Sequence, residues 1–279
     1  MRIASWNVNS VRTRLDQIRA WLETDGPEVL CLQETKVVDS LFPHEAFQSL
    51  GYSAAISGQK AYNGVAILSR LPIEDVHVGF SALLADAAAA ELSEQKRLIS
   101  ARIEGVRVLN LYVPNGSSLR SEKYQYKLAW LACLQRYLAA LSQLGEEPLL
   151  LAGDFNIAPE DRDLHDPARL SGGIMASEPE RQALRALAAD QLADAFRLFE
   201  PRAGHWSWWD YRSGAWETDR GWRIDHIYLD PVLQSCATGC VIQRQLRGND
   251  QPSDHAPVVV HLAWPPEDCQ EDLDGWGDA

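Results

Sequence analysis

The apolar residues of the chain are concentrated in short runs rich in Val, Ile and Leu, and this feature constrains the fold more than any other. Runs of roughly four to eight residues with many β-branched side chains favour strands over helices, which are usually longer. Each run gives way to polar residues, as a strand does where it leaves a core. The predicted strands cover residues 1–6, 29–32, 65–68, 98–103, 106–113, 149–152, 224–229 and 258–262.

Three other stretches have the apolar spacing of helices. Residues 11–22 carry an apolar side chain at every third or fourth position, and Ser10 is placed to cap that helix. Leucines recur with the same period over 128–141, after Ser121 as a cap. A third helix is predicted to begin at Ser177, where a glutamate three residues further on matches a capping box.

The order of these elements indicates the fold class. Strand-rich stretches lie on both sides of the long central helix, and no linker rich in Pro, Gly or Ser divides the chain. An α/β fold with two packed sheets flanked by helices fits this order. The Ala-rich stretch 85–92 fits either a helix or a loop. We expect one domain over residues 1–264 and, over 265–279, an acidic tail that is disordered.

The net charge of −13 argues, at face value, against a partner made of phosphates. Six of the excess carboxylates lie after Trp264, in the tail, which has no Lys or Arg. The rest of the chain is less acidic but still negative. A phosphate-bearing partner would therefore need a basic patch on one face of the protein and a metal at the site.

The chain shows no feature of a membrane or secreted protein. No apolar run approaches the roughly 18 residues of a membrane-spanning helix, and the first residues resemble a strand more than a signal peptide. We therefore expect a cytoplasmic protein with no membrane partner. The cysteines are irregularly spaced and are expected to be reduced thiols without a catalytic role. They are Cys31, Cys133, Cys236, Cys240 and Cys269.

Six motifs of polar residues stand at or near the ends of these strands, where a rigid backbone can hold a site. Any one of them is also typical of an ordinary turn, because Asp and Asn are common turn residues. All six together indicate a functional site. The motifs are Asn7-Val8-Asn9, Gln33-Glu34-Thr35-Lys36, Tyr112-Val113-Pro114-Asn115, Gly153-Asp154-Phe155-Asn156, Asp225-His226 and Ser253-Asp254-His255.

The residue types in these motifs limit the chemistry. Carboxylates, amides and a histidine without thiolate partners suit a hard divalent ion, Mg²⁺ or Mn²⁺. Such a metal can neutralise the oxygens of a phosphodiester and stabilise the leaving alkoxide, while a neighbouring carboxylate deprotonates the attacking water. A phosphate-binding P-loop, a nucleophile elbow and a dinucleotide fingerprint are all missing from the sequence. The motifs predict metal-assisted phosphoester hydrolysis.

In their order along the chain, these motifs resemble those of the exonuclease III family of abasic-site endonucleases. The resemblance covers residues 1–262 and extends to longer segments of sequence around the motifs. It implies a DNase I-like, four-layer α/β sandwich with two central mixed sheets between helical layers and a site at one edge. The segments are Trp6-Asn7-Val8-Asn9-Ser10, Leu32-Gln33-Glu34-Thr35-Lys36, Tyr112-Val113-Pro114-Asn115-Gly116, Gly153-Asp154-Phe155-Asn156-Ile157, Gly221-Trp222-Arg223-Ile224-Asp225 and Ser253-Asp254-His255-Ala256-Pro257.

The resemblance also implies which residues bind the metal and activate water. Glu34 would be the main metal-binding carboxylate, with Asn9 near the metal and Asp254 approaching it or a second ion. Asp154 would activate or orient the attacking water. Asn7 would help to hold the site residues in place.

A second group of residues would contact the phosphate. Asn156 would contact the scissile phosphate, and Tyr112 would lie against it with support from Asn115. His255 would bind a phosphate oxygen, oriented by Asp225 and kept charged by it. Tyr112 taken alone also fits a core aromatic. All other histidines are expected to be structural or exposed.

The catalytic residues do not name the substrate, because the wider relatives of this family include DNases, sphingomyelinases and inositol-phosphate phosphatases. The aromatic stretch 205–212 is more informative. In abasic-site endonucleases, residues matching Trp208, Trp222 and Ile224 form an apolar pocket for a sugar that has lost its base. A nucleotide with its base attached is too large for such a pocket and is costly to unstack. The alternative is that these aromatic residues belong to the core.

Basic residues that follow the site motifs could supply phosphate contacts. For Lys123 and Lys127, a solvated helix face is an equally good interpretation. Animal relatives place a duplex-wedging Arg after the Tyr-Val-Pro-Asn motif, whereas this chain has Gly116-Ser117-Ser118 there. The basic residues in question are Arg12, Arg14, Lys36, Arg120, Lys123 and Lys127.

Together these observations predict a magnesium- or manganese-dependent DNA-repair hydrolase that acts as a monomer on double-stranded DNA. It would cleave 5′ to abasic sites and trim 3′ ends as a 3′→5′ exonuclease. Two alternatives stay open at this point. One is an inositol-phosphate or lipid phosphatase on the same fold, and the other is a non-catalytic module that binds abasic DNA.

Overall fold

Two six-stranded sheets form the centre of the protein, seen in a computed structural model that describes residues 1–145, 147–188 and 192–265. The strands are β1 (Arg2–Asn7), β2 (Val29–Gln33), β3 (Ser53–Ser57), β4 (Val65–Ser69), β5 (Glu74–Val78), β6 (Leu98–Ile103), β7 (Val106–Tyr112), β8 (Leu149–Asp154), β9 (Ala193–Asp194), β10 (Asp225–Leu229), β11 (Ala237–Ile242) and β12 (Val258–Leu262). The first sheet has the order β11-β12-β1-β2-β4-β3, and the second has the order β5-β6-β7-β8-β10-β9. Both are mixed, since β1 is parallel to β2 and β7 to β8, whereas their other neighbours are antiparallel.

Helices pack around the two sheets, on their outer faces and, for the two short helices that flank β10 in sequence, against the core between the sheets. They are α1 (Leu15–Asp25), α2 (His44–Gln48), α3 (Ala87–Ser93), α4 (Glu122–Leu141), α5 (Pro167–Leu170), α6 (Glu178–Ala188), α7 (Ala195–Phe199) and α8 (Pro231–Cys236). Helices α1 and α2 pack on the first sheet, while α4 and α6 pack on the second. The predicted four-layer sandwich is therefore confirmed.

Strand β1 shows why the two sheets pack face to face. Successive side chains of a strand point to opposite faces, and in β1 both faces are buried. Ile3 points inward and packs with Val108 and Ile227 of the second sheet. Trp6 points outward and meets Trp21 of α1 edge-on, with 5.5 Å between the ring centroids. Burial on both faces explains why apolar and solvent-exposed residues do not alternate along this strand.

The eight predicted strands are confirmed to within two residues at each end. The four strands without a prediction are β3, β5, β9 and β11, which are the edge strands of the two sheets. An edge strand is covered on fewer sides, so it needs no continuous apolar run. Strand β5 illustrates this, because four of its five residues are exposed.

The predicted helix caps Ser121 and Ser10 have different outcomes. Ser121 caps α4 as predicted, because its hydroxyl accepts the N–H of Tyr124. The prediction that Ser10 caps the first helix is wrong, since α1 begins only at Leu15. The backbone N–H of Ser10 instead donates to the Glu34 carbonyl at 2.8 Å, which ties the end of β1 to the end of β2 and delays the helix.

The remaining predictions about chain organisation have different outcomes. The Ala-rich stretch forms helix α3, and the third predicted helix is α6. Within the described ranges, no helix is both long and apolar enough to cross a membrane. Cys31, Cys133, Cys236 and Cys240 are free thiols, as expected. Cys269 and the rest of the tail from 266 to 279 lie outside the described residues, so the division at residue 264 stays a prediction.

The close packing of β7 and β8 at Gly153 can be tested by substitution. A Cβ at this position would lie 2.0 Å from the carbonyl oxygen of Leu111, its partner in the parallel pair of β7 and β8. We expect Gly153→Ala to lower the free energy of unfolding by about 1–3 kcal/mol, because overpacking displaces the backbone. Urea denaturation monitored by circular dichroism would measure the change.

The matched control is Gly239→Ala in edge strand β11. A Cβ at Gly239 would meet no atom of the described residues within 4 Å. The expected change there is within about 0.5 kcal/mol. Equal losses for the two variants would contradict the packing described for β7 and β8.

Candidate active site

Strand register brings the predicted site residues to one edge of the sandwich. In the second sheet, Tyr112 pairs with Asp154 across β7 and β8, and Asp154 pairs with Asp225 across β8 and β10. In the first sheet, Asn7 at the end of β1 pairs with Gln33, directly before Glu34. Because both sheets end at this edge, side chains that are far apart in sequence become neighbours.

The side-chain amide of Asn7 links the two sheets at the site. Its Nδ2 donates to Glu34 Oε1 at 3.0 Å and to Asp154 Oδ2 at 2.9 Å. Its Oδ1 accepts the backbone N–H of Asn9 at 3.0 Å, which holds the loop after β1. Asn7 is fully buried, so this amide fixes the spacing of the two carboxylates without competition from solvent.

Glu34 lies in a cationic environment. Its backbone φ is +51°, in the left-handed region, and Lys36 Nζ lies 2.8 Å from Glu34 Oε2. Burial disfavours the charged form, but the Lys36 ammonium and hydrogen bonds from Asn7, Lys36 and Tyr112 outweigh it and lower the pKa of Glu34. Glu34 is therefore a carboxylate at neutral pH.

Asp154, Asp225 and His255 form a buried cluster. Nδ1 of His255 lies 2.9 Å from Asp225 Oδ2, while its Nε2 lies 3.8 Å from Asp154 Oδ2. The Ser207 hydroxyl donates to Asp225 Oδ2 at 2.6 Å. Burial opposes protonation of His255, but the two carboxylates prevail and raise its pKa well above the usual range. Burial raises the pKa of Asp154 against the opposing charge of His255, and Asp225 adds to the rise.

Two asparagines line the adjoining part of the site. Nδ2 of Asn115 donates to Asn156 Oδ1 at 3.0 Å. Nδ2 of Asn156 in turn donates to the Val113 carbonyl at 2.9 Å and contacts Asp154 Oδ2 at 3.2 Å. Tyr112 is close by, with its hydroxyl hydrogen-bonded to Glu34. Burial, followed by the Glu34 charge, raises the pKa of Tyr112 well above its ordinary value, so the phenol keeps its proton.

Asp254 connects the acidic cluster to the aromatic residues. Its Oδ1 accepts Nδ2 of Asn9 at 3.0 Å, and its Oδ2 accepts Nε1 of Trp208 at 2.9 Å. Trp208 also exchanges two backbone hydrogen bonds with Trp222, and their rings meet edge-to-face with centroids 6.3 Å apart. The two rings line a cavity of about 380 Å³ together with Ile174.

Ile224 does not occupy the position that sequence analysis expected. It is 1% exposed and lies in a buried apolar cluster with Trp222, Leu164 and Met175. A side chain with almost no accessible surface cannot offer a sugar a contact area. Ile224 therefore supports the cavity wall from behind.

The predicted basic patch is only partly present. Arg12, Arg120 and Lys123 are exposed and free to meet phosphates. Lys36 is engaged with Glu34 and Asn9. For Lys127, both the phosphate contact and the solvated helix face are wrong, because the side chain is fully buried. The spacing of the apolar residues along its helix does not predict this burial.

Two residues that support the site, Arg97 and Ser207, are not among the predicted site residues. The guanidinium of Arg97 stacks over the Tyr112 ring at 4.5 Å and donates to the Tyr112 carbonyl. Ser207 accepts the N–H groups of Ile224 and Asp225 while it donates to the Asp225 carboxylate. Arg97 directly precedes β6 but belongs to none of the six motifs, and Ser207 lies in the stretch 205–212, where only the aromatic residues pointed to a function.

The donor set fits a hard divalent cation. One ligand atom each from Asp154, Asp225 and His255 lies within 4.8 Å of the others, but a protonated His255 cannot ligate a metal, so the cation would lie with the neighbouring oxygen donors. Glu34 and Asn9 already share a cation, the Lys36 ammonium. Oxygen donors of this kind are typical of Mg²⁺ and Mn²⁺ sites. The arrangement can hold a metal beside a general base and a protonated histidine, which is suited to phosphoester hydrolysis.

Comparison with known proteins agrees with this chemistry. A sequence model described as the Endonuclease/Exonuclease/phosphatase family matches residues 4–255. Exodeoxyribonuclease III of Haemophilus influenzae is 37% identical over 270 residues, a match that covers 92% of this chain and 98% of that protein.

Solved structures give the same result. The 3′ phosphatase NExo from Neisseria, bound to a product DNA hairpin, has a TM-score of 0.88 and 39% identity, with 95% of this chain and 100% of that chain covered. An AP endonuclease from Archaeoglobus fulgidus has a TM-score of 0.86 and 37% identity, with 94% and 99% covered.

The contact between His255 and Asp225 can be tested by titration. In metal-free Asp225→Asn, the imidazolium loses its nearest negative charge, so we expect the pKa of His255 to fall below its value in the unchanged protein. NMR titration of the histidine Cε1 protons would measure this fall. His226 is the internal control, because burial, with the adjacent Arg223 charge, lowers its pKa to about 4. A His255 titration unaffected by the substitution would contradict the described geometry.

Proposed function

This chain belongs to the Endonuclease/Exonuclease/phosphatase family, in its exodeoxyribonuclease III group, and we propose that it cleaves double-stranded DNA 5′ to abasic sites and trims 3′ ends with Mg²⁺ or Mn²⁺. Membership of this group makes the protein a hydrolase, a DNA-repair nuclease of the exonuclease III and AP endonuclease type. The proposal concerns the preferred DNA lesion, the identity of the metal and the role of each residue.

The observation that carries the proposal is the bridge made by Asn7 between Glu34 and Asp154. One amide nitrogen lies 3.0 Å and 2.9 Å from carboxylates on different sheets. A metal-binding carboxylate and a water-activating carboxylate are thereby held side by side. Hydrolysis of a phosphodiester by a metal-assisted water needs this pairing.

The metal would be held by Glu34, with Asn9 and Asp254 beside it. When bound, it would neutralise phosphate oxygens and stabilise the leaving 3′ oxygen. Asp154 accepts hydrogen bonds from Asn7 and from the backbone N–H of Asn156, which leaves its orientation fixed. The raised pKa of Asp154 makes it a stronger base, so it can take a proton from the attacking water.

His255 and the two asparagines would bind the phosphate. With Nδ1 of His255 committed to Asp225, the other ring nitrogen, Nε2, can donate to a phosphate oxygen. Because the Asp225 carboxylate favours the imidazolium, this donor is charged and the hydrogen bond is strong. Asn115 and Asn156 lie beside this position, and the Tyr112 hydroxyl would point to the same phosphate.

The aromatic cavity supports an abasic lesion as the substrate. Trp208 and Trp222 line a cavity of about 380 Å³, which has room for a deoxyribose turned out of the duplex. A sugar without its base is also less costly to turn out of the duplex. One of the similar structures is an AP endonuclease, and another is bound to a DNA hairpin.

Three further features of the protein belong to the proposal. The site is built from a single chain, which supports action as a monomer. The free thiols are typical of a reducing compartment such as the cytoplasm. Residues 1–264 contain every residue assigned a role, so we propose them as the catalytic domain.

An end-labelled duplex with one abasic analogue gives the direct test. With Mg²⁺ we expect a single nick 5′ to the analogue, and with EDTA no nick. Asp154→Asn keeps the shape of the side chain but removes the base, so the rate should fall at least about 100-fold. Asp16→Asn, an exposed change in the first turn of α1, is the control and should leave the rate unchanged.

The alternatives predict other outcomes of this assay. Phosphate release from inositol phosphates or lipids, with the abasic duplex left intact, would replace the proposal with a phosphatase. Tight binding of the abasic duplex without any metal-dependent turnover would indicate a binding module.

The aromatic cavity predicts a change in selectivity for Trp222→Leu. A wider cavity admits intact nucleotides, so the ratio of cleavage at abasic over undamaged positions should fall about 10-fold. Trp130→Leu, in the helical layer of α4, is the matched control because it also removes a buried indole. Rates would be measured below the melting temperature of both variants. A selectivity ratio that falls equally in both would show that lost stability is the cause.

A further inference from the structure

A lysine and a glutamate are fully buried next to the candidate site. Lys127 of α4 and Glu180 of α6 both have an exposed fraction of 0%, and Lys127 Nζ lies 2.6 Å from Glu180 Oε1. A buried ion pair is weak evidence for stability, because two desolvated charges often do no better than two apolar side chains of similar volume. The pair therefore needs another explanation.

The ammonium of Lys127 joins two of the loops that carry site residues. Besides Glu180, it donates to the carbonyl of Asn156 at 2.7 Å and to the carbonyl of Asn115 at 3.3 Å. An ammonium has three N–H donors, so all of them are used. Asn156 has a backbone φ of +50°, and its carbonyl is held in this left-handed turn by a charged donor.

Glu180 extends the connection to a third loop. Its Oε1 accepts the backbone N–H of Met175 at 3.1 Å, and its Oε2 accepts that of Ser177 at 3.0 Å. Met175 Sδ lies 3.2 Å from Asn115 Nδ2 and belongs to the lining of the aromatic cavity. One ion pair thus fixes the loops after β7 and β8 and the loop before α6.

We propose that Lys127 is a positioning residue for the reaction, with Glu180 as its buried counter-ion. By holding the carbonyls of Asn115 and Asn156, it sets the angle at which their side chains meet each other and the scissile phosphate. Lys127 touches neither the phosphate nor the water, and it acts through the two asparagines. This inference rests on the proposed function, from which its test can be separated.

The test compares three variants on the abasic duplex with Mg²⁺. Lys127→Met/Glu180→Gln removes the donors without leaving a buried charge unpaired. We expect its kcat to fall about 10- to 100-fold with KM within about twofold, since small misplacements of a positioned group cost this much. Lys127→Arg keeps the charge and the donors and should keep kcat within about threefold of the unchanged protein.

The matched control is Arg107→Met at the opposite end of the second sheet. Arg107 is also buried and paired with carboxylates, those of Asp75 and Glu147. The Arg107→Met variant should be less stable than the unchanged protein but should keep its kcat at temperatures where it is folded. A similar loss of kcat in this control would overturn the inference, and so would a double variant with kcat within about threefold of the unchanged protein.

A double-mutant cycle with Asn156→Ala separates positioning from a general structural role. If Lys127 acts through Asn156, the double substitution should cost much less kcat in the Asn156→Ala background than in the unchanged protein. Fully additive losses would overturn the inference. Where Lys127→Met/Glu180→Gln is unfolded at the assay temperature, Lys127→Gln/Glu180→Gln, a neutral pair that can keep a hydrogen bond, takes its place with the same expectation.

NMR of the side-chain amides decides the question independently of catalysis. In the unchanged protein, the Nδ2 protons of Asn115 and Asn156 should exchange slowly with solvent, and in the double variant they should exchange faster and shift. Unchanged amide resonances would overturn the positioning role even if the protein cleaved no DNA. Absence of cleavage by the unchanged protein would instead count against the proposed function alone.

Discussion

The hydrogen bonds from one buried amide, that of Asn7, determine how the two sheets present their carboxylates. Glu34 and Asp154 belong to different sheets, and the same nitrogen binds both. Two buried carboxylates repel each other unless a donor or a cation lies between them. Positive charge therefore stabilises the site. Lys36 and His255 supply it within the chain, and a divalent metal would supply it during the reaction.

A second buried polar contact keeps the sheets in register directly behind the site. Nε2 of Gln33, the last residue of β2, donates to Oδ1 of Asn110 in β7 at 2.8 Å. Asn110 in turn donates to the Leu32 and Ala66 carbonyls of the first sheet. Most of the interface between the sheets is apolar and has no directional preference. The hydrogen bonds of the Gln33 and Asn110 side chains are directional and set the position of one sheet on the other. Glu34 and Tyr112, one or two residues further along, therefore face each other.

The charge of the whole chain says little about the charge at the site. The net charge is −13, but the residues around the acidic cluster include Lys36, Arg97 and a protonated His255. Interaction with a phosphate depends on the potential close to the phosphate, because salt screens more distant charges over roughly 10 Å. An acidic protein can therefore bind DNA through one face.

The sequence by itself determined the interior strands, the fold class and most residues of the candidate site. The tertiary structure decided where the edge strands lie, which residues support the site and how deeply each side chain is buried. Interior strands such as β2 and β8 are buried on both faces and so leave continuous apolar runs, while β5 at an edge does not. The motifs identified Asp154 and His255 because each follows or precedes such a run. No spacing could show that Ile224 lies behind the cavity wall or that Lys127 points inward to Glu180. Burial and ion pairing depend on which segments meet after folding, and residues 53 positions apart meet only in three dimensions.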